Sequence, residues 1–487
     1  MSLDDIKKVR LEKLTKIKEF GLDPYPADVD EERVAIQSVL EKFDVLQSSA
    51  EEIIIAGRVM SIRGQGGIFF VDLYDGTGKI QIVFKKDSGI LSGMFDLFVE
   101  TVDMGDFIEV TGTCFVTQRG EKSVEVGDWG ILTKTLQPLP EKWHGLQDVE
   151  ERYRKRYLDL LVNPELKDIF VKKAKFWKAT REFLENKKFL EVQTPILETT
   201  TGGAEARPFE THHNDFDIDV YLRISVGELW QKRLMAAGFP RTFEIGRVFR
   251  NEGSSPEHLQ EFTNMEFYAA YMNFDEGISF TEDLIKRVVQ ETFGTLTFDI
   301  KGESVDLSGL WERVDYVEKI KEMTGVDVLT AGEEELKDRL VELGVRFEGE
   351  NKERLTDSLW KYCRKQIMGP VWLTGHPKLV SPLSKADPNN PQKTLRVQLI
   401  LAGAEMTNGF AELNNPLEQK KRFTEQAELL AAGDTEAMMP DWEFVEMLEH
   451  GMPPAFGQAY GERLFATLVG KPIRETELFP LMKPKQE

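Results

Sequence analysis

Residues 241–271 read RTFEIGRVFRNEGSSPEHLQEFTNMEFYAAY, and their alternation decides the fold class. A strand running to Arg250, a polar loop and a second strand from Glu261 make an antiparallel hairpin of period two. Arg250 and Glu252 are two apart, as are Glu266 and Tyr268, so each pair faces one side of its strand. The hairpin thereby offers an arginine, two carboxylates and a phenol to one surface. Arginine suits bidentate recognition of a carboxylate or phosphate, and glutamate suits an amine. Most charged hairpins are surface ion-pair ladders. The apolar density around this one favours a buried site, where each charge must be paired or must bind something.

Two later stretches have the same texture. LRVQLILAGAEMTNGFAELNN, residues 395–415, spaces Gln398, Glu405 and Glu412 by seven. Glu405 is expected at the end of an apolar strand, with Asn408, Phe410 and Glu412 alternating on the next extended segment. Such oxygen donors suit a magnesium ion carried in by a nucleotide, which makes Gln398, Glu405 and Glu412 the candidate metal ligands. PPAFGQAYGERLFATLVGKPIRETELFP, residues 453–480, places Gly457 and Gly461 ahead of an apolar helix that begins at Glu462, Arg463 and Leu464. Glycines there let the backbone approach a ligand, and Arg463 can pair with a phosphate. Neither a lysine-bearing phosphate loop nor a dinucleotide glycine fingerprint occurs, so any nucleotide is bound another way.

Upstream the texture changes. From Ile53 to about Thr135 five β-branched and aromatic runs, separated by turns such as DGTGK at 75–79, predict a five-stranded barrel of the oligonucleotide-binding (OB) type. Phe69, Phe70 and Tyr74 are candidates to stack on bases, with at least one of them expected in the core. Residues 4–20 have a near-helical period with one basic face, read either as a solvated amphipathic helix or as an RNA contact. A linker, LQPLPEKWHGLQD, leads into ERYRKRYLDLLVNPE and a helix from Ile169 to Lys188. The rest mixes strands and helices, with helix-like runs near 310–370. The predicted organisation is α+β: an N-terminal helical extension over 1–45, the barrel over 46–140, and a catalytic domain over 141–487 with a helical insertion near 310–370.

The 487 residues carry 84 acidic and 62 basic side chains, a net charge of −22. That balance argues against a generic nucleic-acid coat protein, because phosphate binding runs on lysine and arginine. Cys114 and Cys363 cannot build a disulfide framework or a four-cysteine metal site. No apolar run approaches a membrane span, and the charged N-terminus does not read as a secretory signal. The expected location is the cytoplasm, with no membrane partner.

Three stretches together, TGGAEARPFETHHN (201–214), FRNEGSSPEHLQEFTNMEFY (249–268) and NGFAELNN (408–415), resemble the class II aminoacyl-tRNA synthetases, and within them the lysyl-tRNA synthetases. KKFLEVQTPIL, with Pro195, is similar to the class II dimerisation motif. The resemblance implies a six- or seven-stranded antiparallel catalytic sheet flanked by helices, an anticodon-binding barrel, a homodimer, and lysine, ATP with Mg2+, and tRNA as ligands. Position by position it implies that Arg250 holds the ATP α-phosphate and the lysine carboxylate, and that Arg463 clamps the γ-phosphate; these two are the catalytic candidates. Glu252, His258 and Glu405 would contact the nucleotide, and Phe262 would stack under adenine. Gly203, Glu228 and Glu266 would form the α-amino site, and Tyr268 and Glu412 the ε-ammonium site, with Asn408 and Phe410 lining the pocket. On the barrel, Phe70 and Gln81 would read the anticodon.

Three positions depart from the family pattern. Gln398 replaces a usual magnesium-binding glutamate. The glycine run before Arg463 is one residue short and holds Gln458 and Tyr460. The segment Ile224–Glu228 is one residue long. Within the class, an aspartate or asparagine enzyme fits less well, since the pocket supplies anions that suit a cationic substrate. A catalytically impaired RNA-binding protein is the reading from a different class, and Gln398 and the short glycine run are what support it. With tRNA as the implied partner, the basic face from Lys7 to Lys18 becomes a candidate RNA contact.

Overall fold

A computed structural model describes residues 2–29, 32–86, 93–140, 146–204, 206–253, 255, 258–347, 349, 351–433 and 437–485. Residues 141–145 of the linker, Glu205, and Ser254, Pro256 and Glu257 of the hairpin loop lie outside these. The chain divides into two units, Met1–Gln147 and Asp148–Glu487.

The first unit opens with α1 (Leu3–Glu19), started by a reciprocal cap between Ser2 and Asp5. Its basic side chains divide, with Arg10 buried and Lys13 part-buried, and with Lys7, Lys8, Lys16 and Lys18 on an exposed face such as the sequence led one to expect. Arg10 is buried and donates to the carbonyls of Met104 (3.0 Å) and Gln137 (3.1 Å). Lys13 pairs with Asp103 at 2.6 Å and Lys16 with Glu100 at 2.9 Å. Acidic groups elsewhere in this unit thus claim Lys13 and Lys16, which a helical period alone does not reveal.

The barrel strands are β1 (Glu52–Gln65), β2 (Ile68–Tyr74), β3 (Lys79–Lys85), β4 (Phe107–Val116) and β5 (Lys122–Thr133), with α2 (Met94–Thr101) between β3 and β4. They pair in the order β1-β2-β3-β5-β4, and β4 returns to β1. Strand parity sorts the aromatic candidates. Val71 and Leu73 point inward, and Phe69 shares their parity, meeting Phe95 and Phe98 edge-on at 6.0 and 6.4 Å. Phe69 is therefore a core residue. Phe70, Tyr74 and Gln81 lie on the other parity and are half-buried. Gln81 Nε2 donates to Ser123 Oγ at 2.8 Å across the β3–β5 pairing.

The second unit is built on a nine-stranded sheet. Its strands are β6 (Leu190–Glu191), β7 (Arg241–Phe249), β8 (Glu261–Ala270), β9 (Glu312–Asp315), β10 (Val371–Thr374), β11 (Arg396–Leu401), β12 (Ala404–Glu405), β13 (Thr407–Ala411) and β14 (Ala455–Gly461). The order is β9-β10-β11-β13-β14-β8-β7-β6, with β12 paired to β11. The count exceeds the six or seven expected because strands of two to four residues extend it, and runs that short carry no readable alternation. Pairing is antiparallel except at the two edges, where β6 and β9 run parallel to their neighbours.

One face of the sheet carries α3 (Lys167–Asn186) and α5 (Phe274–Phe293), packed on Phe243, Met265, Phe267, Val397 and Leu399. The helix between them in sequence, α4 (Glu228–Ala236), belongs to the site described below. Asn273 and Glu276 cap α5 reciprocally, and its buried Ile278, Leu284, Ile285 and Val288 form the apolar stripe. Gly277 is required here, since a β-carbon would lie 2.4 Å from the Phe456 ring. Alternation on β8 then dictates the function of the other face: Met265, Phe267 and Ala269 join the core, so Asn264, Glu266 and Tyr268 must face away from it.

β14 answers that pattern. Asn264, Glu266 and Tyr268 stand opposite Gly461, Ala459 and Gly457, while Phe456 and Tyr460 go to the core. The glycine run is thus a central strand whose site-facing positions are cleared of bulk. The helical insertion consists of α6 (Tyr316–Thr324), α7 (Glu333–Glu342) and α8 (Lys352–Arg364), sharing a core of Leu336, Leu340, Leu355 and Leu359. The final helix, α9 (Glu462–Leu468), follows β14 directly.

Candidate active site

A cavity of about 510 Å³ opens over the cleared face of the sheet. At one end lie three glutamates from three separate elements. Glu228 is the first residue of α4, whose preceding Gly227 has φ 65° and no room for a β-carbon, which would sit 2.1 Å from Thr194 Oγ1. Glu266 comes from β8 and Glu412 follows β13. All three are under 5 % exposed.

Each carboxylate is handled differently. Glu266 is fully hydrogen-bonded: Oε1 accepts from the Val226 N–H (2.7 Å) and Asn264 Nδ2 (3.1 Å), and Oε2 accepts from the Tyr268 hydroxyl (2.8 Å). Burial, reinforced by the nearby Glu228 charge, still pushes its carboxyl up to about 7. Glu228 Oε1 and Glu412 Oε2 both lie 2.6 Å from Lys232 Nζ. Burial pushes Glu412 up to about 8 against the opposing pull of Lys232. The Lys232 ammonium stays above its ordinary value, because Glu228 and Glu412 outweigh the desolvation that works against its charge. The Tyr268 phenol is driven well above its usual range by burial and these anions.

Gly203 borders the same end with φ +89°, and a β-carbon there would meet Ser225 Oγ at 2.4 Å and Glu228 Cβ at 2.8 Å. Asn408 Oδ1 accepts from Arg396 Nε at 2.8 Å, and the Phe410 ring centre is 5.1 Å from Lys232 Nζ. These groups make a small anionic chamber with an aromatic wall.

The other end is cationic. Arg250 lies just beyond β7 and not on it, its N–H continuing the hairpin by donating to Gln260 O at 2.8 Å. Its guanidinium approaches Ile224 O at 3.4 Å and lies 5.4 Å from the Phe262 ring centre. Desolvation pushes it below its ordinary value, with Glu252 pulling it back and Arg463 adding repulsion. Arg463, on the first turn of α9, donates to Glu405 O at 3.3 Å. Glu252 and His258 border the cavity, and His258 Nδ1 is 2.7 Å from Ser255 Oγ.

The seven-residue trio does not act as one cluster. Apolar β11 ends at Leu401, so Glu405 sits on the returning β12 and not at the end of that strand. Its Oε1 accepts from Trp360 Nε1 at 2.8 Å and its Oε2 is 3.8 Å from Arg364 Nη1, both on α8. Gln398 Oε1 is 2.9 Å from His376 Nε2, and burial drives that imidazole down to about 3, so it is neutral. Glu412 faces Lys232. Among the described residues no group of three or more His, Cys, Asp or Glu is placed to hold a metal ion.

The cavity thus gathers Gly203, Glu228, Arg250, Glu252, His258, Phe262, Glu266, Tyr268, Gln398, Glu405, Asn408, Phe410, Glu412 and Arg463. Phe70 and Gln81 belong to the first unit. Lys232, Trp360, Arg364 and His376 were not singled out from the sequence. Only Lys232 left a signal there, four residues after Glu228 on a helix.

Comparison with known proteins gives the same outline. Residues 148–483 match the family of class II tRNA synthetases (D, K and N), and residues 53–132 match the OB-fold nucleic acid binding domain. The chain is 43 % identical to a lysine–tRNA ligase of Thermotoga maritima over 490 residues, covering 99 % of this chain and 97 % of the relative. It is 42 % identical to that of Moorella thermoacetica, over 99 % of both chains. It is 41 % identical to that of Bacillus subtilis, over 99 % of this chain and 98 % of the relative.

Proposed function

The chain belongs to the class II tRNA synthetases of the D, K and N group and works as a lysine–tRNA ligase, and from that premise we propose how its residues divide the reaction. The observation that carries the proposal is the union, in one cavity, of three buried glutamates at one end and two arginines at the other. A lysine molecule has the matching charges, two ammonium groups and a carboxylate.

Glu228 and Glu266 take the α-ammonium beside Gly203, while Glu412 and Tyr268 take the ε-ammonium, with Asn408 and Phe410 along the side chain. Arg250 then draws the lysine carboxylate and the ATP α-phosphate together. A carboxylate oxygen attacks that phosphorus, the bond to pyrophosphate breaks, and lysyl-adenylate forms. The growing negative charge on the α-phosphoryl oxygens lies against Arg250, and Arg463 steadies the leaving phosphates. Glu252 and His258 contact the nucleotide and Phe262 stacks on adenine. The terminal ribose of the tRNA next attacks the acyl carbon and AMP departs. Phe70 and Gln81, on the outward parity of the barrel, contact the anticodon.

The donors near Glu405 fit a magnesium ion that arrives on the triphosphate and keeps most of its water. Glu405 and the amide oxygen of Gln398 would hold it, and it would offset phosphate charge. Glu412, beside Lys232 and Tyr268 at the lysine end, is assigned to the substrate ammonium and not to the ion. We assign a homodimer to the face around Pro195, where Leu190, Ile196 and Leu197 are about half exposed. The reaction belongs in the cytoplasm; no described helix is long and apolar enough to cross a membrane.

The test is ATP–pyrophosphate exchange in pure protein with each of the twenty amino acids. Exchange should require lysine. Exchange driven by asparagine would redirect the assignment, and no exchange with any of them would overturn it.

A further inference from the structure

Lys232 is 1 % exposed and does not itself line the cavity, yet its ammonium meets two of the carboxylates assigned to the substrate. It touches Glu228 Oε1 and Glu412 Oε2, both at 2.6 Å, and lies 5.1, 5.7 and 5.9 Å from the ring centres of Phe410, Tyr268 and Phe444. A lysine ammonium belonging to the protein therefore occupies a setting suited to the ammonium of the substrate. Two arrangements would be consistent with this. Lys232 could be a placeholder that the substrate displaces, or a resident that stays and shares Glu412 with the substrate.

Two observations decide for the resident. Glu412 meets Lys232 through Oε2 in an ion pair at 2.6 Å; neither of its buried oxygens has a hydrogen-bond partner, and Oε1 is the one turned from this pair. That oxygen lies over Gly457, where a β-carbon would be 2.3 Å away, so the cleared strand leaves it facing the cavity. The charges give the second argument. Glu228, Glu266 and Glu412 carry three negative charges when ionised, one more than the two ammonium groups of lysine can match. With Lys232 in place the chamber has a net charge of two, equal and opposite to those groups.

We propose that Lys232 is a permanent counter-ion and positioning residue that holds Glu228 and Glu412 apart and turns the free oxygen of Glu412 toward the substrate ε-ammonium. This rests on the lysine-activating reading above. Without the Lys232 charge, the two carboxylates it separates face each other across the space it leaves. They then repel, move or take up a proton, and the chamber loses its fit to lysine.

The test is steady-state exchange with Lys232→Met and, as a variant that still donates hydrogen bonds but has no charge, Lys232→Gln. Both should raise the KM for lysine at least ~10-fold, with kcat and the KM for ATP changed less than ~3-fold, because the lost interaction acts before the chemical step. Lys232→Arg should restore most of the affinity. A merely structural residue would lower kcat and both affinities together, so that pattern overturns the proposal. A fall in the KM for lysine would show that Lys232 competes with the substrate and overturn it too, as would an unchanged KM in Lys232→Gln. Lysine-dependent exchange by the unaltered protein, run alongside, tests the underlying reading separately.

Discussion

Gly457 and Glu412 are fitted to each other: a β-carbon on Gly457 would stand 2.3 Å from Glu412 Oε1 and 2.5 Å from the Tyr268 ring. The backbone at 457 is ordinary strand, paired through residue 457 with Tyr268 on one side and Phe410 on the other, so conformational freedom is not what requires glycine there. Gly457→Ala should leave the sheet intact and push Glu412 off its position. The expected result is a KM for lysine raised ~5- to 150-fold, the range that overpacking of ~1–3 kcal/mol corresponds to. The KM for ATP, measured in the same exchange assay, should move far less.

Arg250→Ala removes the cation from the point where phosphate and carboxylate charge meet. Lysine-dependent exchange should fall by ~10²–10³ or more, the usual cost of losing one charge-stabilising donor in the transition state. The guanidinium makes long hydrogen bonds to Ile224 O, at 3.4 Å, and lies 5.4 Å from the Phe262 ring centre, contacts too weak for much stability to depend on them. A melting temperature close to that of the unaltered protein is expected, and near-normal exchange in the variant would refute the role.

Glu198 gives a pH dependence of stability. Burial pushes its carboxyl from 4.5 up to about 7, although Trp230 Nε1 donates to it at 2.9 Å. Below the unfolded value both states hold the proton. Between the two values the folded chain keeps a proton that the unfolded chain has lost, so stability falls as pH rises across that window and is level above it. The full loss is ~3 kcal/mol at most. Thermal melts from pH 5 to 8 should show Glu198→Gln with a flatter decline than the parent.

Phe70→Ala separates the two substrates. Removal of one stacking aromatic costs ~1–3 kcal/mol per base, so the KM for tRNA in the charging assay should rise about 5- to 150-fold. Lysine-dependent exchange needs no tRNA and should be unaffected. Phe69→Ala should instead lower the melting temperature, because Phe69 packs against Phe95 and Phe98.

Gln398→Glu tests the metal assignment. His376 is neutral and can keep an N–H toward the new carboxylate, so the side chain should hold its place at 2.9 Å from Nε2. A second anion beside Glu405 should shift half-maximal exchange to lower magnesium concentration. An unchanged magnesium curve would place the ion away from residue 398.

The sequence made the strongly periodic parts legible. Five alternating runs became the five barrel strands, and the parity of Glu266 and Tyr268 carried through to the cavity. What it hid has physical causes. β14 does not declare itself as a strand because Gly457, Ala459 and Gly461 contribute no hydrophobic alternation; the small residues mark the absence of side chains over the site. The edge strands are too short to show a period. The helical period of α1 is legible, but the burial of Arg10 and the pairing of Lys13 with Asp103 are not, because those partners meet only once the chain is folded. Trp360, Arg364 and His376 reach the cavity from segments whose own patterns say only helix or turn.

The hydrogen bond from Trp360 to Glu405 ties the helical insertion to the chemistry. The indole lies within the core of α6, α7 and α8, its ring centre 4.9 Å from that of Tyr316 and tilted 34° to it, while its nitrogen holds a carboxylate of the cavity wall. Local unfolding of α8 would release Glu405, so the two events share one free energy. Occupation of the nucleotide end must then slow the opening of a helix that itself need not touch the nucleotide. In hydrogen exchange, backbone amides of residues 352–364 would become more protected as ATP is added, which makes the insertion a reporter of the site's occupancy and a place where a distant substitution can change it.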